Sequence, residues 1–403
     1  MPAQDHPPSR LLLLAVVALV GLNLRPFLTG VGPLASSISE ATGLDYRGLS
    51  FLTLVPMVLM GVCAFAGPWM QRVMGARRAV IGALLVLMLG CALRLFALDD
   101  GALIGTAALC GLGVAVVQAV FPGVIKAQFP QRVAPVMGLY SAMLMGGGAL
   151  GAQLSPIIAN AMGNWHFGLG WLAVPAALAV AMSAFLLPRS GSQATASLST
   201  AMLLTRPRTW LLMTYFGLMN GGYSSVIAWL APHYQALGWA TAASGALLAI
   251  MAASQAVSAL LIPFLAARGQ DRRPWIWLTL AMQMAGFAGL AFWPQTSPTG
   301  WAALVGAGLG GCFALSMVVA LDHLEDPANA GALSALMQGG GFLIAAAPPW
   351  IVAILHERTG SFASGWLLHL ACAALAAALA LRFAPHGYAR SMNILIPETR
   401  PVV

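Results

Sequence analysis

Charged side chains are scarce in this sequence. Asp, Glu, Lys and Arg make up only 7% of the 403 residues, whereas a soluble globular domain contains about 25%. This shortage excludes an ordinary soluble enzyme, a disordered protein and a nucleic-acid-binding protein. Hydrophobic residues account for 60% of the chain. We therefore expect an integral membrane protein, which is surrounded by the lipid bilayer and does not bind nucleic acid.

Lysine is nearly missing, and cysteine is rare. Lys126 is the one lysine among 19 basic residues, and the arginines stand singly or in pairs between apolar runs. That arrangement is typical of membrane-protein loops. The five cysteines lie inside apolar runs, without a CxxC spacing or a nearby histidine. We interpret them as small core residues, so the sequence predicts no disulfide, no metal site and no cofactor.

Twelve stretches are long and apolar enough to cross a bilayer. A hydrocarbon core of about 30 Å requires about 20 apolar residues in a helix. We place the stretches at 11–36, 49–70, 79–98, 102–125, 135–158, 168–188, 209–231, 241–266, 275–293, 300–321, 332–355 and 365–384. The first is too long for a signal peptide and lacks a cleavage site, so we expect it to remain in the mature chain.

The basic residues predict the orientation of these spans. With the N-terminus inside, 15 of the 19 basic residues fall on the cytoplasmic side, and Arg47, Arg94 and Arg358 fall in outside loops. Arg25 remains, inside the first span. The bias predicts that both termini are cytoplasmic.

The second half of the chain repeats the first. Residues 138–156 and 331–349 are identical at nine of nineteen positions, and Gly111-Leu112-Gly113 resembles Gly308-Leu309-Gly310. We therefore predict an all-α integral membrane protein with twelve transmembrane helices in two pseudo-symmetric halves, and with both termini inside. The halves are 1–189 and 209–403, and a cytoplasmic linker rich in Ser and Thr, 190–208, joins them.

Such a duplication is typical of a secondary transporter with the major facilitator fold, whose halves move about a site near the middle of the membrane. The segment 67–78 resembles the cytoplasmic signature of that superfamily. It departs from the signature at Gln71, where an aspartate is expected, whereas the second copy does have an acid, Asp271.

Arg25 is the deepest charge in the sequence. It lies about 15 residues into the first span, whereas ten of the eleven acids fall in loops or tails and Asp322 falls at the end of the tenth span. A cation at this depth costs at least a few kcal/mol unless it is hydrated or paired. We interpret Arg25 as a fixed charge that awaits an anion. The structural alternative is an arginine that binds backbone carbonyls at a break caused by Pro26.

Uncharged polar residues on the spans could complete a binding site, because amides and hydroxyls orient a small substrate without adding charge. Each is equally interpretable as a helix–helix contact, and Trp229 is a candidate lid. The candidates are Asn23 and Thr29 on the first span, Gln118 on the fourth, Tyr140 and Ser141 on the fifth, Asn220, Tyr223 and Ser224 on the seventh, and Ser334 and Gln338 on the eleventh.

Seven segments resemble the cyanate transporter family of the major facilitator superfamily, which also includes nitroimidazole exporters. They are 21–34, 118–129, 137–152, 215–234, 269–274, 320–323 and 335–350, and they span almost the whole chain. The resemblance implies a permease of the bacterial inner membrane that moves cyanate or a similar small solute.

The leading hypothesis is transport of a small anion by alternating access, with Arg25 as countercharge. The alternative is export of a small neutral xenobiotic such as a nitroimidazole. A membrane enzyme is disfavoured because the seven histidines are scattered, and a sensor is disfavoured because both tails are short. His323 and Asp322 are the candidates for proton coupling, and we expect a monomer.

Overall fold

The computed structural model describes residues 10–44, 46–97, 99–188, 200–239 and 241–392. Within these ranges all regular secondary structure is helical, and no strand occurs. The α-helices are α1 (Arg10–Leu22), α2 (Pro26–Thr29), α3 (Ala35–Thr42), α4 (Tyr46–Ala64), α5 (Gly67–Met74), α6 (Ala76–Leu93), α7 (Asp100–Gln128), α8 (Val133–Met162), α9 (Trp165–Gly170), α10 (Ala173–Leu186), α11 (Thr200–Leu204), α12 (Pro207–Ala236), α13 (Thr241–Ala266), α14 (Arg273–Phe292), α15 (Pro298–Asp322), α16 (Pro327–Thr359), α17 (Ala363–Ala380) and α18 (Tyr388–Met392).

Ten helical segments in the described ranges are long and apolar enough to cross a membrane, and α4 contains a shorter apolar stretch, Leu54–Ala64. Helix α12 is not among the ten, although its 30 residues correspond to about 45 Å. It carries several polar residues at its middle, which lower its hydropathy. The count of twelve crossings and the orientation stay predictions.

Two predicted spans are interrupted. The first is broken after Leu22, and the second ends at Ala64 instead of continuing to residue 70. In both cases a new helix begins at or next to a proline, Pro26 or Pro68. Proline fits the first turn of a helix but disfavours helical geometry in the residue before it. The linker 190–208 is described only from residue 200, and its bounds stay a prediction.

The two sets of spans pack in the same order. In the N-terminal half α1 packs on α8 and α10, α7 packs on α4 and α6, and α6 packs on α10. In the C-terminal half α12 packs on α16 and α17, α15 packs on α13 and α14, and α14 packs on α17. Each pairing of the first set therefore recurs in the second, which confirms the prediction of two pseudo-symmetric halves.

Close glycine contacts correct the register of this repeat. A Cβ atom at Gly113 would lie 2.6 Å from the Ala83 carbonyl oxygen on α6, and one at Gly308 would lie 2.6 Å from the Thr279 oxygen on α14. Gly111 faces α4 and Gly306 faces α13 in the same way. Their contacts therefore align Gly111 with Gly306 and Gly113 with Gly308. The sequence comparison had aligned them with Gly308 and Gly310.

The largest contacts between the halves are made by four helix pairs. Helix α8 contacts α13 and α15, and α16 contacts α4 and α7. Helices α1 and α12, the first spans of the two halves, are therefore free of a large direct contact with each other. Contacts between the halves near α1 and α12 are therefore made by side chains.

We expect Gly113→Ala to lower the melting temperature of the purified protein in detergent. Its methyl group would lie 2.6 Å from the Ala83 oxygen and 2.8 Å from the Leu87 nitrogen, both backbone atoms, and overpacking of this kind costs about 1–3 kcal/mol. Gly105→Ala on the same helix is the control, because nothing lies within 4 Å of its added Cβ. Equal melting temperatures for the two variants would contradict the packing of α7 on α6.

Candidate functional site

The first span is broken where its charge lies. Residues Asn23, Leu24 and Arg25 are not helical, and Arg25 has φ −120° and ψ −25° as the residue before α2. Pro26 has no backbone N–H, so the hydrogen-bond ladder of α1 loses a donor there, which favours the break. The break therefore places Arg25 at an irregular point of the backbone, as the structural alternative from the sequence anticipated.

The guanidinium of Arg25 contacts aromatic rings of the other half. Its Cζ lies 4.3 Å from the centroid of the Tyr223 ring on α12 and 5.8 Å from that of Phe313 on α15. Arg25 is only 6% exposed. No hydrogen bond or ion pair to any described residue satisfies its five N–H donors. Backbone carbonyls therefore do not occupy this guanidinium, and an aromatic face is its main partner.

Helix α12 presents a polar face next to this contact. Tyr223 is half-buried, and Asn220 and Ser224 are buried beside it. The Asn220 amide donates to the Phe216 oxygen at 3.0 Å, and the Ser224 hydroxyl donates to the Ala345 oxygen at 2.7 Å. Both donors are thus used within the C-terminal half.

Gln118 and Gln338 lie together where the halves meet. Gln338 Nε2 donates to the backbone oxygen of Gln118 at 3.1 Å, which joins α16 to α7. Both atoms of the Gln118 side-chain amide are buried and have no hydrogen-bond partner among the described residues. An amide in this state has a donor and an acceptor to offer to a ligand.

The remaining candidates of the N-terminal half divide into two groups. The hydroxyls of Tyr140 and Ser141 are buried and have no partner in the described ranges. Thr29 donates instead to the Gly148 oxygen at 2.6 Å, and Asn23 donates to the Pro175 oxygen at 3.2 Å. Thr29 and Asn23 hold the broken span against α8 and α10.

Arg94 lies in the turn after α6, where a loop was predicted, and the side of the membrane on which it lies stays a prediction. It is fully buried, and its Nη1 donates to the Phe27 oxygen of α2 at 2.9 Å. The turn after α6 folds back, so that the side chain reaches the broken span. Its Nε and Nη2 atoms are buried without a partner among the described residues. Arg94 thus holds α2 beside Arg25.

Three other residues that the sequence analysis singled out make their contacts elsewhere, away from Arg25 and Tyr223. Trp229 Nε1 donates to the Pro349 oxygen at 2.9 Å within the C-terminal half, so its role as a lid stays a prediction. Asp322 accepts a hydrogen bond from Arg272 at 3.2 Å. His323 stacks on Tyr388 with ring centroids 4.0 Å apart. Burial lowers the pKa of His323 to about 4, so its imidazole is neutral at physiological pH.

Sequence reasoning missed Phe313 and Arg94. Phe313 lies in a continuous apolar run, where an aromatic ring has no distinguishing pattern. Arg94 did have a signal, since it stands between Leu93 and Leu95 and precedes the acidic pair Asp99-Asp100 by five residues.

The fold consists of two duplicated halves with polar side chains at the contact between them. Comparison with known proteins identifies the family to which this fold belongs. The family model of the Major Facilitator Superfamily matches residues 11–349. The chain belongs to the Major Facilitator Superfamily. The transporter FucP of this superfamily, solved in the outward conformation, superposes with a TM-score of 0.73 at 13% identity, covering 92% of this chain and 98% of FucP.

Two relatives from Escherichia coli (strain K12) are similar over most of their length. The chain is 42% identical to the cyanate transport protein CynX over 375 residues, which covers 93% of this chain and 97% of CynX. It is 30% identical to the 2-nitroimidazole transporter over 361 residues, which covers 88% and 90%. The resemblance to cyanate transporters is confirmed, and the protein is a multi-pass membrane transporter of the Major Facilitator Superfamily.

We expect Gln118→Met to melt at or above the wild-type temperature but to transport poorly. The substitution removes two buried polar atoms that lack partners, and such unsatisfied groups cost about 1–3 kcal/mol each. The substitution keeps the backbone oxygen of residue 118, so the hydrogen bond from Gln338 is retained. Gln283→Met is the control, because Gln283 Nε2 donates to the Gly308 oxygen at 3.2 Å and its loss should lower the melting temperature. An equal loss of stability in both variants would make Gln118 structural.

Proposed function

We propose that this protein carries a small anion, cyanate, across the bacterial inner membrane by alternating access, with Arg25 as the fixed countercharge. The observation that carries the proposal is the guanidinium of Arg25, which is buried between the halves and has no acidic partner among the described residues. A buried cation of this kind is energetically costly when no anion is bound beside it. An anion that enters beside it removes that cost.

The surroundings of Arg25 suit a very small anion. A guanidinium offers planar donors that form short, strong hydrogen bonds to anionic acceptors. The unpartnered hydroxyl of Tyr140, and the unpartnered amide of Gln118 at the contact of α7 with α16, are further groups that can bind a ligand. Cyanate is a linear three-atom anion that is ionised at neutral pH. The 42% identity to a cyanate transport protein supports the same substrate.

Export of a neutral nitroheterocycle is the second candidate. The rings of Tyr223 and Phe313 beside Arg25 could stack on a flat aromatic ligand. The relative that favours this candidate is more distant, at 30% identity. A neutral ligand would depend on these rings more than on the charge, so the two candidates differ in what each substitution should remove.

Alternating access is supported by a contact between the halves at the end predicted to be cytoplasmic. Lys126, in the last turn of α7, donates to the backbone oxygens of Leu321 and Leu324 at the end of α15. A cation binds favourably at a helix C-terminus because the last carbonyls lack partners and the helix dipole is negative there. Nearby, a Cβ at Gly123 would lie 3.1 Å from the Pro327 oxygen. This end is closed, and it must open to release a substrate inward.

We expect Arg25→Gln to abolish cyanate uptake into proteoliposomes and Arg25→Lys to retain part of it. Loss of a hydrogen bond to a charged ligand costs about 1.5–3 kcal/mol, or roughly 10- to 150-fold in affinity. Lysine keeps the charge but loses the planar pair of donors. The measurement is initial uptake of labelled cyanate, with and without a pH gradient, beside 2-nitroimidazole.

Arg268→Gln is the control for net charge, because Arg268 is exposed in the loop after α13. Normal cyanate uptake by Arg25→Gln would show that Arg25 is structural. Uptake of 2-nitroimidazole without cyanate uptake by the wild type, with a loss in Tyr223→Ala, would favour the second candidate.

We expect Lys126→Gln to shift the protein toward a state open at this end. The closed state would lose charge-assisted hydrogen bonds worth about 1.5–3 kcal/mol. Pulsed EPR between spin labels at positions 132 and 268, in a background with serine at Cys63 and Cys372, should show a longer distance. These positions lie at the same end of the two halves.

Arg77→Gln is the matched control. Arg77 also donates to a backbone oxygen, that of Ala184, but within the N-terminal half. Its loss should leave the distance between the labels unchanged. The same shift in both variants, or no shift in Lys126→Gln, would argue against a latch at Lys126.

A further inference from the structure

A cationic cavity that does not include Arg25 lies where α12 begins and α17 ends. Its volume is about 650 Å³. The lining residues that matter are Arg208, Trp210 and Leu211 of α12, Leu379 and Arg382 at the end of α17, and Ser391 of α18. All of them belong to the C-terminal half, so the cavity is not part of the contact between the halves.

Two guanidinium groups share this cavity. Arg208 is only 8% exposed, and its Nε donates to the Ser391 hydroxyl at 3.0 Å. Arg382 is exposed at the rim. Neither arginine forms an ion pair with a carboxylate in the described ranges. Two like charges in one cavity repel each other, and an anion between them would relieve the repulsion.

Carboxylates at the same end of the half are already paired. Asp271 Oδ2 lies 2.7 Å from Arg273 Nη2. Asp322 Oδ2 lies 3.2 Å from Arg272 Nε. The charge of the cavity is therefore not balanced by these acids, which leaves it free to bind an anionic ligand.

The cavity also has an apolar side that faces outward. Trp210 is 58% exposed, although its Nε1 donates to the Leu204 oxygen at 2.8 Å. Leu381, next to Arg382, is 59% exposed. An exposed tryptophan held beside arginines is typical of the level at which lipid headgroups meet the hydrocarbon core. The ligand should thus have an anionic head and an apolar body.

We propose that this cavity binds the phosphate group of an anionic phospholipid from the cytoplasmic leaflet, with Arg208 and Arg382 on the phosphate and the acyl chains along Trp210 and Leu211. Basic pockets between membrane helices on the cytoplasmic side bind anionic headgroups in this way. The site is separate from Arg25 and does not depend on which solute the protein carries.

The test is lipid binding by the purified, delipidated protein, measured by native mass spectrometry and by the shift in melting temperature. The probes are phosphatidylglycerol, phosphatidylcholine and inorganic phosphate. The wild type should bind phosphatidylglycerol in preference to the zwitterionic lipid, and phosphate alone should give no shift. Arg382→Gln should weaken phosphatidylglycerol binding about fivefold, the contribution expected of one arginine at an anionic surface.

Arg390→Gln is the control, because Arg390 is exposed nearby but does not line the cavity. Arg208→Lys is a second variant, which keeps the charge and should retain more binding than Arg208→Gln. Equal binding of phosphatidylglycerol by wild type and Arg382→Gln would overturn the site. The same stabilisation by inorganic phosphate would overturn the lipid as its ligand.

Discussion

A charged guanidinium inside a membrane-spanning bundle is energetically costly, and the centre of this molecule is organised around that cost. An isolated charge in lipid costs at least a few kcal/mol unless it is hydrated or paired. Arg25 avoids lipid because the break at Pro26 turns it between the halves. Irregular backbone is tolerated at membrane depth only where protein or a cavity surrounds it. The face of the Tyr223 ring, 4.3 Å away, supplies the partial negative charge that the second half contributes.

The duplicated halves differ in sequence and in backbone geometry at this same position. Gly21 of α1 packs against the Tyr140 oxygen, and Gly217 of α12 packs against the Gly341 oxygen, so the two first spans begin alike. Four residues later the N-terminal half has Arg25 and Pro26, whereas the C-terminal half has glycine at 221 and 222. Helix α12 has no proline at this position and continues unbroken to Ala236. The symmetric scaffold thus holds an asymmetric site, with a cation on one side and a tyrosine on the other.

Much of the fold was predictable because lipid imposes a strong rule: apolar runs of sufficient length become helices, and a repeat in sequence becomes a repeat in packing. The breaks were harder, since a single proline acts through a missing donor that hydropathy does not register. The burial of Arg94 could not be predicted, because charge bias treats an arginine in a loop as exposed, whereas a tertiary contact with the Phe27 oxygen buries it. Phe313 could not be singled out, because its role depends on which residue faces it across the halves.

The cations of this chain show where anions belong. Arg272 and Arg273 pair with carboxylates, and Lys126 is occupied by helix-end carbonyls. Arg25 and the pair formed by Arg208 and Arg382 differ from these three cations, since neither an acid nor a helix-end carbonyl among the described residues neutralises them. The first proposed site has two aromatic rings beside it between the halves, which would suit a small solute in transit. The second is open beside an exposed tryptophan at the edge of one half, which suits a ligand that stays in the membrane.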